Sequence, residues 1–137
     1  MQSREKIAFL ASNAKVAQQA CTVLSAKHGN VAHEAAEVIV ALGGDGFMLQ
    51  TLHSSESLRA PVYVMNCVTI GFMMNEYSEA RLTERLGAAV EEVINPLHMR
   101  AIGSDGTVVE ALAINEVSLL RAGPQAAKLR ISVDGRV

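Results

Sequence analysis

The sequence predicts an α/β fold, a parallel sheet with helices packed on its faces, followed by the beginning of an antiparallel β region. Three observations carry this. Apolar runs of strand length at residues 6–11, 38–42 and 61–65 alternate with segments of helical periodicity. A glycine-rich break, Gly43-Gly44-Asp45-Gly46, falls where the second run gives way to helix formers. Beyond Pro96 the apolar residues alternate with polar ones between hairpin turns, as in half-exposed antiparallel strands.

The first run, residues 6–11, reads as a buried strand. Ser12-Asn13 follows as a candidate helix cap. Ala17, Ala20, Cys21 and Leu24 then recur at i, i+3, i+4 and i+7, a stripe of small residues suited to lying close on a sheet. His28-Gly29-Asn30 ends that helix, and residues 31–36 carry no clear pattern. Val38 to Leu42 has the β-branched content of a fully buried strand. After the glycine turn, Met48, Leu49 and Leu52 mark a second helix, finished by the polar residues 54–57. Residues 61–65 form a third strand, and residues 66–75 a loop. The helix expected over residues 79–92 has Leu82, Leu86, Ala89, Val90 and Val93 on one face and stops at Asn95-Pro96.

The domain boundary is expected near Pro96, with an α/β domain over residues 1–96 and a partial all-β domain over 97–137. In the second part, Leu97, Met99 and Ala101 alternate with His98 and Arg100, and Ser104-Asp-Gly-Thr107 is a hairpin turn. Strands are expected over 108–115 and 117–121, and Leu129, Ile131 and Val133 mark another. Asp134-Gly135 is a second hairpin turn, and only two residues follow it. About four antiparallel strands without a second layer cannot bury both faces. The sequence therefore reads as part of a longer protein.

Composition narrows the function. The net charge of −2, with Lys and Arg scattered, gives no footprint for nucleic acid, and aromatic residues at 4% leave no stacking platform. No apolar run has the length of a membrane span. Cys21 and Cys67 lack metal or disulfide spacing, which fits the reducing cytoplasm. The four histidines, His28, His33, His53 and His98, read as structural or surface residues.

The chemistry concentrates at the glycine turn. Strand, glycines, then helix brings bare backbone N–H groups and a positive helix end against a phosphate. Gly43, Gly44 and Gly46 form the phosphate loop in this reading, because glycine lets a ligand approach the backbone. Asp45 is the odd member, since a carboxylate repels phosphate; that places it on a proton or a metal ion. Its bland role is to favour the helix N-terminus, which accounts for one or two glycines but not three around an acid. Neither a Walker sequence nor a dinucleotide fingerprint is present. Phosphoryl transfer fits, with Asp45 accepting the proton of an attacking hydroxyl. Asn115-Glu116, an amide beside a carboxylate, can hydrogen-bond a nucleotide's base and ribose, although alone it is more often a strand bulge. Phe72, after Gly71, can pack on a planar ligand or simply fill a core.

Gly43-Gly-Asp-Gly46, Asn66-x-x-Thr-Ile-Gly-Phe-Met-Met-Asn75 and Ala113-Ile-Asn-Glu-Val117 resemble, in order and spacing, the motifs of the bacterial NAD kinases. The resemblance runs over essentially the whole chain. It implies a Rossmann-like α/β N-terminal domain, a β-sandwich C-terminal domain and NAD bound between them. It also implies transfer of a phosphoryl group from ATP, or polyphosphate in some members, to the 2′-hydroxyl of the adenosine ribose, giving NADP. By the same resemblance Asp45 is the proton acceptor, Gly46 a backbone contact to the dinucleotide, Leu49 and Phe72 apolar walls of the adenine site, and Asn115 and Glu116 the pair that holds the adenosine part. Mg²⁺ accompanies ATP, and homodimers or homotetramers are expected.

Two departures stand out. Val64 and Cys67-Val68 occupy places where the family usually has glycine and a basic-glycine pair; a positive φ there would strain a valine. The family's Gly-Ser/Thr-Thr-Ala-Tyr segment does not occur in the sequence, so half of an active site is expected here, inactive by itself. Two other readings remain: a lipid kinase or phosphofructokinase sharing the glycine-acid turn, and a nucleotide-binding module without turnover.

Overall fold

The computed structural model describes residues 6–67 and 74–137. The chain divides into two compact units, Met1–Glu92 and Val93–Val137.

The first unit is an α/β layer structure. Strands β1 (Ile7–Ala11), β2 (Val38–Gly43), β3 (Val62–Asn66) and β4 (Asn75–Glu76) form a sheet in that order, every neighbouring pair parallel. Helices α1 (Lys15–His28), α2 (Asp45–Ser54) and α3 (Leu82–Ala88) connect or follow them. The two central strands read as unbroken apolar runs because they are covered on both faces. In β2, Ile39, Val40, Ala41 and Leu42 are completely buried. Ile7, Phe9, Val40, Leu42 and Met65 form one core with Ala17, Ala20 and Leu24 of α1 and Leu82 of α3. The alternate residues Ala8, Ile39, Ala41 and Val64 are buried on the opposite face. Phe47 of α2 lies against Gly43, which shares that face with Ile39 and Ala41, so α2 covers it.

Several boundaries differ from the sequence expectation. Helix α1 is capped at Ala14, and Ser12 Oγ accepts only the Ala14 N–H, at 3.4 Å. Its other end is as expected: Gly29 turns left-handed, φ 83°, and its N–H bonds Ser25 O. Residues 33–35 form one 3₁₀ turn. The fully buried side chain of α2 is Thr51, whose hydroxyl bonds Phe47 O at 2.9 Å, while Met48, Leu49 and Leu52 are only half-buried. Helix α3 spans seven residues rather than the fourteen expected. Arg81 enters it in left-handed conformation, φ 56°, and Val90 and Val93 beyond it are exposed. A helical stripe stabilises only where it meets a core, and here only Leu82 and Leu86 do so. Strand β4 starts on the last residue of the loop expected over 66–75 and runs one residue past it; two residues are too few for a sequence pattern.

The second unit holds one antiparallel pair, β5 (Leu97–Ile102) and β6 (Val108–Ala113). Its turn is the expected one. Gly106 N bonds Gly103 O at 3.0 Å, Gly106 has φ 85°, and Asp105 Oδ1 accepts Thr107 N at 2.9 Å. That hydrogen bond holds the Asp105 carboxyl below its ordinary range. The expected strands over 117–121 and 128–133 are absent. Leu119, Leu120, Leu129 and Ile131 have the composition of strands, but they are exposed and pair with no other strand among the described residues. A strand needs a neighbour for its backbone groups and a surface for its apolar side chains. The Asp134-Gly135 turn nevertheless forms, with φ 50° and 77° and reciprocal bonds between Val133 and Arg136.

Candidate functional site

The glycine turn lies at the carboxyl end of β2, beside the end of β3. Gly43 is the last residue of β2, in register with Asn66, and its carbonyl accepts the Cys67 N–H at 3.2 Å. Gly44 is the N-cap of α2, in extended conformation with φ −109°. Asp45 and Gly46 open the helix, both exposed. The first helical bond runs from Met48 N to Gly44 O at 3.0 Å. No side chain caps this helix, so the N–H groups of Asp45, Gly46 and Phe47 have no acceptor among the described residues.

The three glycines have different reasons. A Cβ on Gly43 would fall 2.9 Å from Phe47 Cβ and Cδ1, so the close approach of α2 to β2 requires glycine there. Gly43→Ala is expected to destabilise the first unit by about 1–3 kcal/mol through overpacking. Denaturant unfolding checks this, and an unchanged midpoint would mean that α2 shifts without cost. Gly44 and Gly46 differ: among the described residues a Cβ on either meets nothing within 4 Å, and neither has positive φ. The backbone and packing of the described residues give no reason for glycine at these two positions.

Leu49, one turn into α2, is half-exposed. Phe72 lies outside the described residues, as do Gly71 and Val68. Asn115, in the bend after β6, and Glu116, just past it, are both exposed in the second unit. The first unit thus brings together Gly43, Gly44, Asp45, Gly46 and Leu49, while Asn115 and Glu116 stand together on the second.

The strain expected at the two described departures is absent. Val64 is a buried strand residue paired with Ala41, and neither it nor Cys67 has positive φ. Burial pushes the Cys67 thiol up, which keeps it protonated and a poor nucleophile.

Sequence reading missed the groups that anchor residues 75–79 at the β4 edge of the sheet, one strand beyond β3. Asn75 Nδ2 donates to Val64 O at 3.1 Å. Arg85 of α3 donates to Glu76 O at 2.7 Å and Ser78 O at 3.2 Å, and stands 5.9 Å from the Tyr63 ring centroid. Tyr77 bonds Glu79 Oε1 at 3.2 Å. Burial, then the Glu79 hydrogen bond and charge, push its phenol up to about 12. An arginine on the polar side of a helix carries no sequence signal of such a role.

Comparison with curated proteins finds extended similarity. A protein named NAD kinase from Cereibacter sphaeroides strain ATCC 17023 is 59% identical over 133 residues, which cover 97% of this chain and 52% of the relative. Proteins of the same name from Caulobacter vibrioides and Rhizobium meliloti are 54% and 48% identical, over 96% and 95% of the chain and 51% of each relative. Over nearly its whole length, this chain is similar in sequence to proteins named NAD kinase. It spans about half the length of the curated relatives it matches. No family model matches it. The α/β architecture with a parallel sheet and a separate antiparallel pair is the fold class the sequence predicted. Among the described residues no helix is long and apolar enough to cross a membrane.

Proposed function

We propose that the protein containing this chain is an NAD kinase. It would transfer the terminal phosphoryl group of ATP, or of polyphosphate, to the 2′-hydroxyl of the adenosine ribose of NAD. The observation that carries this reading is the glycine turn, in a chain 59% identical to a protein named NAD kinase. An exposed carboxylate there sits among backbone N–H groups with no acceptor among the described residues, flanked by Gly44 and Gly46, which the packing of those residues does not require.

In this reading the N–H groups of Asp45, Gly46 and Phe47 donate hydrogen bonds to phosphate oxygens, and the bare backbone at Gly44 and Gly46 lets those oxygens approach. Asp45 orients the ribose hydroxyl and receives its proton as the oxygen bonds phosphorus. The bond from that phosphorus to the ADP oxygen breaks, leaving NADP and ADP. A loose transition state asks little base strength, so orientation is the larger part of the task. Leu49 and Phe72 are assigned to the adenine wall, and Asn115 and Glu116 to the adenosine hydroxyls and base. Among the described residues no three His, Cys, Asp or Glu side chains form a metal cluster. Mg²⁺ is therefore expected to enter on the phosphates of ATP, whose charge it neutralises, with Asp45 as the acidic group of the turn that can meet it.

The domain assignment that goes with this reading is 1–96 and 97–137, the latter part of a sandwich completed by further chain. This stretch alone is expected to be inactive. A cytoplasmic homodimer or homotetramer, without nucleic acid or membrane partners, completes the proposal.

The test is product analysis with the full-length gene product, ATP or polyphosphate, and NAD, diacylglycerol or sugar phosphate as acceptor. NADP formation is the expected result. Phosphorylation of another acceptor alone would make it a different kinase, and NAD binding without turnover would make it a non-catalytic module.

A further inference from the structure

The geometry points to Arg85 as the positioning residue of the nucleotide site, acting through the β3–β4 end of the sheet; the inference rests on the NAD kinase reading. Strand β4 is two residues long, and its register, Met65 with Asn75 and Asn66 with Glu76, needs support that so short a ladder does not supply. Arg85 supplies it from α3. Its Nη2 donates to Glu76 O at 2.7 Å and its Nη1 to Ser78 O at 3.2 Å, gripping the chain on both sides of Tyr77. The same Nη1 lies 3.8 Å from Met65 Sδ, and the guanidinium faces the ring of Tyr63. One side chain therefore ties the exit of β4 to two residues of β3.

What it holds bears directly on the glycine turn. Asn66 is in register with Gly43, and Cys67 N bonds Gly43 O at 3.2 Å. Glu76, whose carbonyl Arg85 grips, is in register with Asn66. The path from Arg85 to the phosphate-facing turn is thus two strand pairings long. A planar fork suits two carbonyls in a fixed arrangement, and lysine cannot reproduce it. Arg85 touches no proposed reacting atom; its part is to fix the wall against which the turn is set.

The test uses the full-length gene product with Arg85→Lys and Arg85→Met. In the Met variant, which loses both charge-assisted bonds to the Glu76 and Ser78 carbonyls, the KM for NAD should rise at least about tenfold, while kcat stays within about twofold. The Lys variant should fall between it and the unmodified protein. Asn75→Ala, which removes the second tie to β3, should raise the same KM, and combining it with Arg85→Met should give less than the product of the two effects. Amide hydrogen exchange should quicken at residues 75–78 and not in β1. An unchanged KM for NAD in variants that still fold, or unchanged exchange at 75–78, overturns the role of Arg85. Absence of NADP formation by the unmodified protein overturns the kinase reading instead, and the inference with it.

Discussion

Asp45→Asn is expected to lower NADP formation by the full-length protein about 10²–10⁴-fold, the usual contribution of a positioned general base. Asparagine keeps the shape and can still hydrogen-bond the ribose hydroxyl, but it cannot take up the proton. A loss near the lower end would mean that orientation dominates, as a loose transition state favours. The fold should be nearly indifferent. Asp45 is exposed at the start of α2, so removing its charge costs at most the helix-end interaction, about 0.3–1 kcal/mol. Steady-state kinetics beside thermal unfolding separates the two effects. Turnover equal to the unmodified enzyme would remove Asp45 from the chemistry.

Gly44→Ala and Gly46→Ala should split binding from stability. An added methyl meets no atom of the described residues within 4 Å at either site, and both backbones are open to alanine. At Gly46, inside the first turn of α2, alanine should stabilise the helix by up to about 0.5–1 kcal/mol. The affinity for NAD should nevertheless fall more than about tenfold, because a methyl would occupy space that a ligand at the bare backbone needs. Calorimetric titration against thermal unfolding gives both numbers. Gly43→Ala should behave in the opposite way, losing stability first, since its methyl meets Phe47. Unchanged NAD affinity in both the Gly44 and Gly46 variants would show that no ligand touches the turn.

What was legible in the sequence follows from what each segment packs against. The runs at 7–11, 38–43 and 62–66 could be read because strands covered on both faces need continuous apolar residues. The two Asp-Gly turns could be read because positive φ is demanded locally by the turns themselves. The same local logic failed for α3, whose apolar stripe continues past Ala88 into residues with nothing to pack on. It failed again over 117–121 and 128–133, where alternation describes a strand but no neighbour is present among the described residues. At the site, the glycine-acid turn was visible because its residue types are unusual together. Arg85 was not, because its work depends on which carbonyls happen to lie within reach, and a two-residue strand leaves no pattern.

The central claim is that the turn between β2 and α2 receives the phosphate-bearing part of NAD. Amide NMR of the full-length protein during titration with NAD tests it most directly. Saturable shifts of the Gly44, Asp45, Gly46 and Phe47 N–H resonances, larger than those along α1, are the predicted result. Saturable binding that leaves these four resonances in place would contradict the account.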